Sequence, residues 1–98
     1  MHYLLIYDVV PNYIERRKPF REEHLAMARQ SHARGELVLG GAFANPCDGA
    51  VLFFKGDSPA VAEEFAKADP YVINGLVTSW RVREWTTVIG DCAAYPIV

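Results

Sequence analysis

The sequence predicts an α+β domain with elements in the order β-α-β-β-α-β, and three observations carry that prediction. Two runs, 1–10 and 50–55, are so rich in aromatic, aliphatic and β-branched residues that they read as sheet interior. Two segments with helical spacing, 19–34 and 59–69, each close on a breaker, Gly35 and Pro70. Two further strand-like runs, 36–44 and 76–88, complete the order. At 98 residues this order most often gives the ferredoxin-like arrangement, one antiparallel sheet with both helices on one face. The domain is expected to occupy residues 1–88, with 89–98 as an irregular tail carrying Gly90, Asp91 and Pro96.

The first strand ends at the turn Pro11-Asn12. Leu4 and Ile6 occupy one of its faces and Tyr3, Leu5, Tyr7 and Val9 the other, so both faces need cover. A helical turn from Asn12 to Arg17, capped by Asn12, leads to Pro19, which suits the first turn of the main helix. Gly35 stops that helix after Arg34. At ~100° per residue, Phe20, His24, Met27, Ala28 and Ser31 share one stripe, with Leu25 on its flank. Glu22, Arg29 and Ala33 face away. The middle of the buried stripe is therefore a titratable ring, His24, where a core leucine would be expected.

The second strand is expected to weaken or bulge at Gly40-Gly41, and Asn45-Pro46-Cys47-Asp48-Gly49 is turn chemistry. The run 50–55 is nearly all apolar and reads as a central strand. Ser58 as cap and Pro59 at the first position open the second helix. Val61, Phe65 and Ala68 are expected to face inward, and Glu63, Glu64 and Lys67 outward. Asp69-Pro70 ends this helix, because the residue before proline is pushed out of the helical region. Residues 76–88 alternate Trp80, Val82 and Glu84 with Arg81, Arg83 and Trp85, the pattern of a partly buried strand. Helices on one face leave the other bare, yet the first and third strands are apolar on both. A homodimer with two sheets packed face to face would cover them.

Hydrophobic residues make up 51% and charged residues 22% of the chain, which excludes disorder. Ten Lys+Arg against twelve Asp+Glu give a formal charge of -2, too balanced for a nucleic-acid surface built on charge. No apolar run approaches the ~20 residues of a membrane helix, so no membrane partner is expected. The N-terminus shows no basic region followed by a long apolar stretch, and no signal peptide is expected. Cys47 and Cys92 fit no metal spacing. The expectation is a cytoplasmic protein with reduced thiols.

In this topology the C-terminal end of the second helix lies beside the N-terminal turns of the first, which puts Asp69 within reach of His24. A carboxylate at a helix C-terminus is disfavoured by ~0.3–1 kcal/mol, so Asp69 should have a compensating partner. An imidazole held by a carboxylate has a fixed tautomer, which suits a general acid or base near neutrality. Arg21 and Arg17 precede His24 on the same side of the helix and are placed to bind a small anionic substrate such as a carboxylate. Plainer roles stay open for each residue. His24 reads equally as a core histidine with one hydrogen bond, and Asp69 as a cap for the turn at Tyr71-Val72. Arg17 and Arg21 also read as a solvated face paired with Glu15, Glu22 or Glu23. His2 and His32 read as ordinary surface or strand-edge residues and share no metal spacing with His24. Trp80, Trp85 and the tyrosines read as core or interface. No phosphate loop and no Ser-His-Asp or Cys-His nucleophile is readable, and nothing calls for a metal, haem, flavin or nucleotide cofactor.

Arg21-Glu22-Glu23-His24-Leu25, Gly35-Glu36-Leu37-Val38-Leu39-Gly40-Gly41 and Asp69-Pro70-Tyr71 with Gly75 beyond resemble the YCII-related family in order and spacing, over roughly residues 1–88. The resemblance implies a dimeric α/β barrel of ferredoxin-like subunits. It implies an active site formed by a His-Asp pair, matched here by His24 and Asp69, with the family's helix arginine matched by Arg21 and more weakly by Arg17. It also implies activities of the dehydrochlorinase or lactone-processing type, while other members have none established. Many members carry Gly-Pro after the second strand, whereas here Gly41 is followed by Ala42. Three functions are then in play. The preferred one is a small cofactor-independent enzyme of lyase, dehydrochlorinase or lactone isomerase type, using His24 and Asp69 as general acid/base. The others are a non-catalytic module that binds a small acidic metabolite and an accessory structural dimer.

Overall fold

In the computed structural model, which describes residues 1–97, strand β1 (His2–Val9) runs through the middle of a four-stranded antiparallel sheet. It pairs on one side with β3 (Gly49–Lys55) and on the other with β4 (Val77–Glu84), and β2 (Leu37–Ala42) is the edge beyond β3. The order β2-β3-β1-β4 is the ferredoxin-like topology that the sequence predicts. Helix α1 (Tyr13–Arg16), a 3₁₀ turn (Lys18–Phe20) and α2 (Arg21–Ala33) connect β1 to β2. Helices α3 (Ala60–Ala68) and α4 (Pro70–Ile73) connect β3 to β4.

Alternation along the strands divides the sheet cleanly. Tyr3, Leu5 and Tyr7 stand opposite Phe54, Leu52 and Ala50, and all six are buried beneath the helices. Leu4 and Ile6 stand opposite Phe53 and Val51 on the other face and stay half-exposed. Leu39 of β2 also pairs with Phe53 and is 72% exposed, so the apolar second face expected from the sequence is present and uncovered in one chain.

The C-terminus of α2 shows how sequence sets a boundary. Gly35 takes φ +79°, its N–H donates to His32 O, and the Glu36 N–H donates to Ser31 O. This paired closure satisfies carbonyls the helix would leave open, and glycine enters that backbone region without steric cost.

Several boundaries differ from the sequence reading. Asn12 sits at the cap position of α1 but with φ 59°, so its side chain makes no cap bond; its carbonyl accepts the Arg16 N–H instead. Pro19 lies in the 3₁₀ turn, and α2 begins after it. Helix α3 starts after Pro59, with Ser58 Oγ only 3.3 Å from the Ala60 N–H. Its inner face is Ala62, Phe65 and Ala66, while Val61 is half-buried and Ala68 exposed. The helix is turned by one residue so that Phe65 packs on Phe54. The register shift in β2 falls between Leu37 and Leu39, not at the glycines. Gly40 and Gly41 keep their pairing with Leu52 and Val51.

Strand β4 is shorter than expected at both ends. After Trp85, whose N–H donates to His2 O, the chain folds back on itself through Tyr95 N–H to Thr87 O and Ile97 N–H to Val88 O. This overturns the reading of His2 as a surface or strand-edge residue. His2 is buried, its Nδ1 lies 2.6 Å from Thr87 Oγ1, and its ring stands edge-on to Phe53. Among the described residues no helix is long and apolar enough to cross a membrane.

Candidate active site

Asp69 is the residue between α3 and α4, and its extended backbone (φ -67°, ψ 121°) is what the following proline demands. Its carboxylate accepts three hydrogen bonds. The Tyr71 N–H (3.0 Å) and His24 Nδ1 (2.9 Å) reach Oδ1, and the Tyr7 hydroxyl (2.7 Å) reaches Oδ2. The bond from Tyr71 caps α4, so the plain and the functional readings of Asp69 are both true of one oxygen. The side chain is 0% exposed, and the three donors replace the water it has lost.

His24 stands one turn into α2 with its side chain 14% exposed. Its ring lies flat against Tyr71, 3.9 Å between centroids and 8° between planes, with Phe65 edge-on at 6.3 Å. Both oxygens of Asp69 act as acceptors, so Nδ1 carries the proton and Nε2 is the free, basic nitrogen. The ring borders a cavity of about 370 Å³ between α2 and the sheet. Ser31 is the one fully buried residue of α2: His24, Leu25 and Ala28 border this space, while Phe20, Met27 and Ala28 pack half-buried against the core.

Arg17 and Arg21 line the same cavity, as do Tyr7, Tyr13 and Tyr71. The Arg17 guanidinium sits over the Tyr13 ring at 5.0 Å, and Tyr13 stands edge-on to Tyr71. Glu15 is taken by Lys18, and among the described residues neither arginine forms an ion pair; Arg17 is half-buried and Arg21 is exposed. On the strand side, Gly40 and Gly41 leave the wall without side chains, and Ala42, Ala50 and Leu52 complete it. Burial pushes the Tyr13 phenol up to about 12, against the opposing pull of Arg17. Burial also raises Tyr71, with Arg21 and Arg17 opposing, and raises Tyr7 far beyond the ordinary range, helped by the Asp69 charge. All three phenols therefore keep their protons near neutrality.

The structure thus brings together all four residues singled out in the sequence, His24, Asp69, Arg21 and Arg17. Sequence reasoning missed Tyr7, Tyr13 and Tyr71, which it assigned to core or interface. The available signal was that a buried tyrosine needs a partner for its hydroxyl. His32 lies apart, with Nδ1 2.9 Å from Leu37 O. No cluster of three or more His, Cys, Asp or Glu side chains forms a metal site among the described residues.

A family model described as the YCII-related domain matches residues 1–86. The chain belongs to the YCII-related family. An uncharacterized protein of Haemophilus influenzae is 28% identical to this YCII-related chain over 97 residues, covering 90% of it and 99% of the relative. Among solved structures, a 5-chloro-2-hydroxyhydroquinone dehydrochlorinase from Burkholderia phenoliruptrix, in complex with 2,5-dihydroxybenzoquinone, superimposes with a TM-score of 0.74. The two are 21% identical, over 89% of this chain and 95% of that one. A NIPSNAP family protein of Agrobacterium tumefaciens superimposes with a TM-score of 0.56 at 17% identity, over 95% of each chain. At such identities these two likenesses establish the ferredoxin-like fold of this YCII-related protein, and its fold alone.

Proposed function

We propose that this YCII-related protein is a general acid-base enzyme acting on a small anionic molecule, with His24 and Asp69 as its catalytic pair. One observation carries the reading. His24 Nδ1 is held by a buried carboxylate at 2.9 Å, while the same ring borders a cavity containing two arginines that, among the described residues, have no acidic partner. Asp69 fixes the tautomer, and His24 Nε2 takes a proton from a carbon beside a substrate carbonyl. The electron pair left behind either moves onto the carbonyl oxygen, giving an enolate, or expels a leaving group together with its bonding electrons. Arg21 and Arg17 hold the substrate's carboxylate or the developing oxyanion. The proton on His24 is then returned to another carbon in an isomerisation, or released to water after an elimination.

The likeness to a dehydrochlorinase supports screening chlorinated hydroxyaromatic compounds first. The test is His24→Ala. Loss of the general base should lower turnover by ~10²–10⁴-fold with the circular dichroism spectrum unchanged. Turnover retained in that variant removes His24 from the chemistry.

We propose further that two copies pair through the open sheet face, with Leu4, Ile6, Val51 and Phe53 of each chain covered by the other. Light scattering should then give twice the chain mass. A monomer at micromolar concentration would discard the pairing and leave the His24 assignment intact.

A further inference from the structure

Among the described residues, two buried side-chain polar atoms have no hydrogen-bond partner, Arg17 Nε and the Tyr71 hydroxyl. Both residues line the cavity beside His24. Folded chains rarely leave buried donors unpaired, and two such donors on one cavity wall mark a place where a bound acceptor is stabilised.

Tyr71 is held where such a ligand would need it. Its backbone N–H is fixed to Asp69, its ring lies flat on His24, and the residue is 1% exposed, so the phenol has little freedom to look for another partner. The cations acting on the phenol are Arg21, which can also donate to the phenol oxygen, and Arg17, with the Asp69 carboxylate opposing them; an arginine donor leaves the hydroxyl proton itself without an acceptor. Arg17 is steadied by the face of Tyr13, which itself abuts Tyr71. The corner therefore offers donors and positive charge, and among the described residues its carboxylate, Asp69, is already engaged by Tyr7, His24 and the Tyr71 N–H.

We propose that the Tyr71 hydroxyl and Arg17 Nε are the donors of an oxyanion subsite, the part of the cavity that receives a carboxylate or enolate oxygen of the ligand. The proposal rests on reading this cavity as the substrate site, and it makes Tyr71 a ligand-binding residue beside the catalytic pair. A carboxylate suits the corner because it accepts at both oxygens and carries the charge the arginines lack. A carboxamide of the same shape brings an N–H₂ group against donors and leaves the cations unneutralised.

Tyr71→Phe isolates the hydroxyl, since it keeps the stacked ring and the N–H to Asp69. Calorimetric titration with benzoate, and with benzamide as its neutral isostere, reads the subsite without requiring the natural substrate. The wild-type protein is expected to prefer benzoate. Tyr71→Phe should lose roughly tenfold or more in benzoate affinity with little change toward benzamide. Its melting temperature should equal or exceed that of the wild type, because the unpaired hydroxyl is gone. Arg17→Met, which removes the second donor from a half-buried side chain, should weaken benzoate in the same way. The proposal is overturned if Tyr71→Phe and Arg17→Met bind benzoate as the wild type does, or if the wild type shows no saturable benzoate binding. Turnover of His24→Ala is read separately. A dead His24→Ala beside unchanged benzoate binding in Tyr71→Phe would sink the subsite and leave the acid-base reading standing.

Discussion

Replacement of Asp69 distinguishes a carboxylate that holds the fold from one that serves the site alone. In Asp69→Ala the Tyr7 hydroxyl, the Tyr71 N–H and the His24 Nδ1–H all lose their acceptor. The His24 side chain is 14% exposed, so water can replace its partner. Tyr7 and Tyr71 are buried, and their two donors stay unsatisfied at about 1–3 kcal/mol each. The expected loss is therefore about 2–6 kcal/mol, a large share of the ~5–15 kcal/mol that holds a domain together. Asp69→Asn is different. Its amide oxygen can still accept from the Tyr71 N–H and from His24, and its N–H₂ can donate to the Tyr7 oxygen. The charge and the acceptor for the buried Tyr7 hydroxyl proton are lost, and the cost should be about 1–3 kcal/mol, at about 4–8 °C in melting temperature per kcal/mol. Urea unfolding followed by the fluorescence of Trp80 and Trp85 measures both variants. The ranking is wild type, then Asn, then Ala. An Ala variant within ~0.5 kcal/mol of wild type would refute the account of Asp69 as a buried acceptor for three donors.

Tyr7→Phe removes one donor from a buried charge and should cost about 1.5–3 kcal/mol in the same urea assay. Gly40→Leu places a side chain on the cavity wall. A Cβ there lies 3.4 Å from Leu52 Cγ, so the fold should tolerate the change while benzoate binding and turnover disappear. The contribution of three buried phenols to stability should hold up to about pH 10 and then fall as pH rises. The folded phenols of Tyr7, Tyr13 and Tyr71 titrate above the unfolded value of 10.0, so above that pH the unfolded chain binds fewer protons than the folded one. Tyr13→Phe should remove part of the fall between pH 10 and about 12, measured by urea midpoints at each pH.

Much of this was legible in the residues because periodicity reports which side of an element is covered. Alternation in residues 1–10 gave β1 its two apolar faces, and Gly35 and Asp69-Pro70 marked helix ends by backbone sterics alone. The approach of Asp69 to His24 followed from topology, since the element order fixes which helix ends meet. Other features depended on tertiary packing that no local pattern encodes. The β2 irregularity fell at Val38, where Leu37 and Leu39 meet consecutive phenylalanines of β3, because an uncrowded Gly pair has no need to bulge. The burial of His2 comes from Phe53 and from Thr87 just past the end of β4, contacts that form only in three dimensions. The tyrosines looked like core because their rings are core. Only their hydroxyls, through Asp69 and the cavity, belong to the site.

The double use of Asp69 Oδ1, capping α4 and holding His24, also bears on motion. On the Asp69 side the dyad has no loosened form that leaves α4 intact. Releasing the carboxylate releases the Tyr71 amide, so the amide proton of Tyr71 should exchange with solvent only when this part of the molecule opens, at a free energy near that of global unfolding. Accommodation of differently shaped ligands must then come from the opposite wall, where β2 has a free edge and two residues without side chains. Slow amide exchange at Tyr71 alongside fast exchange in β2 would be the signature of a rigid proton-transfer pair facing a compliant wall.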